Sequence, residues 1–310
     1  MPALRRLSVA ILSFAVIPLS GCLFRSRPFQ PQVTVAPLKS ATQQQLIDSI
    51  NEQDERIQSM QATVDIDTSV GGAKKGKITD YEQIRGYVLA RKPAMLRMTG
   101  LMPVVRTRAF DMVSDGSNFK LWIPPKNRFV MGRNDVQSNN THQPLENLRP
   151  QVIFDALLIR RIDPEHDIAV KENQSHMVVD AKGHRYSRSE YVIDVIEKGH
   201  QGWFRSRTIV FGRDDLFPSR QFTYNEDGDV LTDARYENYK KDEHGIEFPW
   251  RIEISRPLEE YDITLTFVKL ELNTPLLDDK FELEQPAEAE VVRLDRPQPS
   301  NVKSADPDKK

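Results

Sequence analysis

Short runs in which apolar and polar residues alternate, broken by turn dipeptides at hairpin spacing, dominate this chain and restrict it to an antiparallel β architecture. Ala62, Val64 and Ile66 alternate with Thr63, Asp65 and Asp67 as far as Gly71-Gly72, so each set of side chains lines one face of a strand. The same pattern predicts strands at 84–90, 94–99, 106–114 and 119–123, interrupted by Lys92-Pro93, the 100–103 segment, Asp115-Gly116 and Pro124-Pro125. Further strands are predicted at 176–181, 190–197, 203–211, 219–224, 230–239, 248–255 and 261–272. The breakers between them include Lys182-Gly183, Lys198-Gly199, Asp227-Gly228 and His244-Gly245, the punctuation of a meander.

Two stretches depart from this period. Ser40 or Thr42, each with Gln three residues on, offers a capping box ahead of Leu46, Ile47, Ile50 and Ile57, which recur at helical spacing through Met60. Pro150 is a favourable first helical residue, and Val152, Ile153, Ala156 and Leu157 follow it as an apolar face. The expected fold is mainly β with a few helices: a large curved antiparallel sheet forming an incomplete barrel closed by helices. An apolar cavity between sheet and helices is the usual place for a hydrophobic ligand. Val64, Ile66, Ile84, Val88, Leu96, Met98, Phe110 and Met112 fall on the apolar strand faces and are its candidate lining. The competing expectation is a sheet filled by those same side chains.

The N-terminus sets the compartment. Arg5 and Arg6 precede an apolar run that closes on Leu19-Ser20-Gly21-Cys22. The run is shorter than the ~20 residues a spanning helix needs and has the layout of a signal peptide. It resembles the lipobox of bacterial lipoproteins, in which Cys22 would carry the lipid and become the first mature residue. Cys22 is the only cysteine, so no internal disulfide can form, and lipidation removes a reactive thiol from an oxidising envelope. Two or more acyl chains, palmitate among them, anchor a protein stably where one does not. Leu23 follows Cys22; by the sorting rule of such lipoproteins the absence of aspartate there implies a periplasm-facing place on the outer membrane. The expected organisation is a signal peptide at 1–21, a lipidated, proline-interrupted tether at 22–38, one domain at 39–284 and a disordered tail at 285–310.

Other function classes find little support. A net charge of -2 gives no electrostatic case for nucleic acid. The six histidines show no metal-ligand spacing, and neither a nucleophile elbow nor a glycine-rich phosphate loop occurs. No catalytic residue, metal ligand or cofactor site is assigned.

The run Ile84-Arg85-Gly86-Tyr87-Val88-Leu89-Ala90-Arg91-Lys92-Pro93 is followed by Leu96-Arg97-Met98, Val113-Ser114-Asp115-Gly116 and Leu121-Trp122-Ile123-Pro124. With Asp278-Asp279-Lys280-Phe281-Glu282-Leu283 ahead of Gln285-Pro286, this order resembles the lipoprotein-localisation factors, the LolA/LolB-like superfamily. The resemblance implies an incomplete β-barrel whose cavity holds acyl chains of lipoproteins or phospholipids, lipoprotein sorting or insertion as the task, and a periplasmic carrier protein as a partner. It also implies roles for particular residues. Arg91 or Lys92 would contact a helical lid, the alternative being a solvated strand end. Leu101, Met102, Pro103, Val104 and Val105 would form a protruding apolar loop for membrane insertion, the alternative being a segment folded onto the core. Related folds also occur in envelope-stress sensors, so a sensing or structural lipoprotein is the second reading and a hydrolytic enzyme the third.

Overall fold

In a computed structural model of the protein the described residues are 38–72, 74, 76–135, 149–179 and 182–294. The signal segment, Cys22 and the tether up to residue 37 lie outside them. Helix α1 (Gln43–Arg56) starts at Thr42, whose side chain accepts from the Gln45 amide while the Gln45 side chain accepts from the Thr42 amide. This reciprocal cap satisfies two donors that a helix start otherwise leaves bare. The helix ends at Arg56, so Ile57 caps it and Met60 belongs to the first strand.

The strands that follow are β1 (Ser59–Gly72), β2 (Lys77–Asp80), β3 (Ile84–Arg91), β4 (Met95–Leu101), β5 (Arg108–Ser114), β6 (Asn118–Ile123) and β7 (Arg128–Arg133). Helix α2 (Pro150–Leu157) comes next, then β8 (Ile168–Val179), β9 (Arg185–Lys198), β10 (Trp203–Gly212), β11 (Pro218–Tyr224), β12 (Val230–Lys241), β13 (Glu247–Arg256), β14 (Tyr261–Leu272) and β15 (Glu290–Arg293). Met177–Arg188, around the β8–β9 turn, falls outside the main compact unit, which comprises Pro37–His176 and Ser189–Lys310.

All strands share one sheet of order β15-β7-β6-β5-β4-β3-β1-β14-β13-β12-β11-β10-β9-β8, with β2 paired to β1 off that path. From β9 across to β7 the neighbours are antiparallel. The ends of the path, β8 and β15, do not meet, so the sheet is mainly β, mixed and unclosed, an incomplete barrel.

Alternation sorts the side chains. Val64, Val88, Leu96, Met98 and Met112 face inward and pack in one cluster with Ile153, Phe154 and Leu157 of α2. A second inner cluster seats Leu46, Ile47 and Ile50 of α1 on Ile193, Ile209 and Phe211 of β9 and β10. Each such side chain withdrawn from water stabilises the fold by roughly 1.5–3 kcal/mol before entropic costs.

On the outer face the chain returns after β14 as a strap. Arg97 Nη1 donates to the carbonyls of Lys280 (3.0 Å) and Glu282 (3.3 Å), and Lys120 Nζ donates to that of Leu283 (3.2 Å). Leu283 packs with Val113 and Phe129, and β15 then runs parallel to β7 at the sheet end. The sheet thus takes in residues 290–293 of the segment whose composition predicts a disordered tail from 285. The reason is local: Val292 alone of its strand is buried, while β7 supplies an open edge that four residues can satisfy by backbone pairing. Strands β2, β7 and β15, and most of β8, escape the sequence pattern because they are short or polar on both faces.

Candidate functional site

Strand β4 ends at Leu101 and β5 begins at Arg108, and these two residues pair in register across a bulge. The connection between them folds on itself: the Met102 amide donates to the Thr107 carbonyl (2.7 Å), the Val105 amide to that of Pro103 (2.7 Å) and the Arg106 amide to that of Met102 (3.1 Å). With its polar backbone groups tied locally, the loop needs no contact with the core. Its apolar side chains point to solvent: Met102 is 37% exposed, Val105 66% and Val104 95%. Leu101 and Pro103 are half-buried at its base. Val104 also adopts φ 65° and Arg106 φ 57°, the left-handed region in which a β-branched residue is strained. A solvent-facing valine held at unfavourable backbone geometry contributes nothing to folding that glycine or asparagine would not supply better.

The eight inward-facing candidates have a different fate. Val64, Ile66, Val88, Leu96, Met98, Phe110 and Met112 are buried and Ile84 is packed against them. They fill the sheet with one another and with α2, and none lines the inner-face cavity or the outer-face groove described below.

One of those cavities, of about 830 Å³, opens on the inner face between the C-terminal part of α1, helix α2 and strands β9 to β11. Phe154, Leu158, Phe204 and Tyr224 give it apolar walls, but its floor is polar. Asp155 accepts from Gln151 Nε2 at 2.7 Å, and Gln221 Nε2 donates to the Asp155 carbonyl at 3.4 Å. Burial raises the Asp155 pKa, opposed by the Gln151 hydrogen bond. Arg207 donates to the carbonyls of Arg160 (2.7 Å) and Arg161 (3.2 Å), and its burial lowers its pKa to about 10. Arg207 thereby ties the segment after α2 to the sheet. Gln221 and Arg207 are invisible in the strand pattern, because alternation in β11 would choose Phe222, not Gln221, as the inward residue.

Arg91, the last residue of β3, and Lys92, in the turn that follows, reach opposite faces. Lys92 Nζ donates to Asp54 Oδ1 of α1 at 2.7 Å and to the Asp54 carbonyl, with both side chains 17% exposed. Arg91 reaches the strap, pairing with Asp278 and the Leu276 carbonyl and lying over the Phe281 ring. Neither is a free, solvated strand end. Cys22 lies outside the described residues. Among these residues no helix is long and apolar enough to cross a membrane, and no group of three or more His, Cys, Asp or Glu is placed to hold a metal ion.

No protein-family model and no curated protein matches the chain. Solved structures do. One, a domain from Vibrio parahaemolyticus assigned to outer membrane lipoprotein sorting, is 12% identical, with 76% of this chain and 94% of that chain covered at a TM-score of 0.46. The LolA superfamily protein NE2245 from Nitrosomonas europaea is 16% identical over 76% of this chain and 97% of its own, also at 0.46. The chain is similar to LolA superfamily structures. A crystal structure of MucB is 16% identical, covering 82% of this chain and 66% of that chain at a TM-score of 0.26. At such identities and scores no residue role passes from these proteins to this one.

Proposed function

We propose that this chain is a lipid-anchored protein of the bacterial envelope that works at a bilayer surface, where it receives or inserts molecules bearing acyl chains, lipoproteins or phospholipids. The observation that carries the proposal is the exposed, self-contained apolar tip of Met102, Val104 and Val105. Exposed apolar side chains at a hairpin tip are unfavourable in water and favourable at a membrane interface. A lipidated Cys22 would keep the tip at the bilayer, so a small partition energy suffices for frequent contact. In this reading the tip, rather than the filled inner face of β1, β3, β4 and β5, meets the acyl chain, and the outer membrane facing the periplasm is the place of work.

The test uses the full-length lipidated protein in vesicles and a fluorescent acylated lipoprotein as cargo. Replacing Met102, Val104 and Val105 together by Glu removes three interfacial side chains and should slow cargo insertion by more than roughly tenfold, while the circular dichroism and melting temperature stay those of the parent. Unchanged insertion would remove the tip from the mechanism.

A further inference from the structure

The second cavity, of about 550 Å³, is a groove on the outer face of the sheet. It runs over β14, β1, β3 and β4 beside the strap, and its lining includes Leu101 and Arg108, the residues from which the apolar tip springs. Its charge is lopsided. Arg97, Arg108, Lys269 and Lys280 line it, against Glu271 as the one acid of the lining.

The four cations differ in what they can still do. Arg97 is committed to the structure: Nε and Nη2 hold the fully buried Asp111 at 3.0 and 2.7 Å, and Nη1 holds the strap. Arg108 stands 3.3 Å from the same carboxylate with its side chain 56% exposed, so its other donors face the groove. Lys269 meets Glu271 at 2.5 Å on an exposed surface, a pairing worth little in water. The Lys280 ammonium has no hydrogen-bond or ion-pair partner among the described residues. Leu89 and the half-exposed Tyr87 share the floor with Gln61, Thr63 and Thr99, so a mixed apolar and hydrogen-bonding floor lies under a cationic rim.

We infer that this groove is a phosphate-binding collar for anionic phospholipid headgroups, engaged when the tip enters the bilayer. The inference rests on the membrane reading of the tip and adds the lipid class that the surface selects. Position supports it. The headgroup phosphates of a bilayer lie just above the hydrocarbon that the tip would enter, and the Leu101–Arg108 pair puts the groove at that base of the tip. Arg106, exposed within the loop itself, adds a further cation next to the tip. A phospholipid headgroup brings a phosphate to the cationic rim and glycerol and acyl carbon to Tyr87 and Leu89 together, which a free phosphate ion does not.

The experiment places the full-length lipidated chain, carrying Tyr87→Trp as a reporter, in phosphatidylcholine vesicles to which phosphatidylglycerol is added; the anchor keeps the amount of surface protein constant. Phosphatidylglycerol should shield the new tryptophan from acrylamide, read as the difference from the parent chain, and added salt should reverse the shielding. Lys269→Gln with Lys280→Gln should weaken the response roughly thirtyfold, at the usual contribution of one surface cation each. Equal shielding by phosphatidylcholine alone, or by inorganic phosphate without anionic lipid, would overturn the inference. A parallel Val104→Trp chain in brominated lipid separates the two readings: quenching there without any response at position 87 sinks the collar and leaves the tip, and absence of both sinks the two together.

Discussion

The two ends of the β4–β5 hairpin contain similar residues and treat them in opposite ways. Leu96, Met98 and Met112 are buried between the sheet and α2, whereas Met102, Val104 and Val105, a few positions along the same hairpin, stand in solvent. Composition does not separate them. What separates them is backbone satisfaction: the strand residues bond to both neighbours and have a fixed face, while the loop closes its own hydrogen bonds and leaves its side chains undirected by the core. Hydrophobicity therefore stabilises the fold in one half of the hairpin and is available for a partner in the other.

The contrast is breakable. Met98→Ala should cost about 2–5 kcal/mol by leaving a cavity in a packed core, and Met102→Ala less than about 0.5 kcal/mol; paired denaturant titrations with comparable losses would erase the distinction. A smaller effect is expected where the inner face is covered. Lys92→Met removes the charged hydrogen bond to Asp54 and should cost about 1.5–3 kcal/mol, with α1 amides becoming faster to exchange; unchanged exchange in α1 would mean the clamp does not hold the helix. A third effect, of about 1 kcal/mol, has the opposite sign. Val104→Gly relieves the φ 65° backbone and should raise stability by about 1 kcal/mol, a gain of roughly 2–4 °C in Tm, while membrane contact weakens. A valine whose removal stabilises the fold and impairs the membrane step is kept for the membrane; a loss of stability would assign Val104 to the core instead.

Much of this was legible in the amino-acid pattern. Thr42, Pro150 and the alternating strands announce both helices and the meander because caps and periodicity are local properties. β15 was not legible, since four residues with one buried side chain leave no periodic trace and exist only by pairing with β7; the strap before it buries Leu276, Phe281 and Leu283 at no strand or helix period. Nor was the polar inner cavity. Its floor is built from Gln151, Asp155, Arg207 and Gln221, brought together from α2, β10 and β11, and single polar residues in strands read as solvent-facing until their register is known. The apolar run at 101–105 was visible as a run, but exposure is a tertiary property that hydrophobicity alone does not encode.

Work at a bilayer surface requires the tip to enter lipid. Val104→Trp in the full-length lipidated protein, reconstituted in vesicles whose acyl chains are brominated at a known depth, measures this directly. Strong quenching by shallow bromines together with a blue-shifted emission is the predicted result. Emission at the water-exposed wavelength, unquenched at every depth, would contradict it.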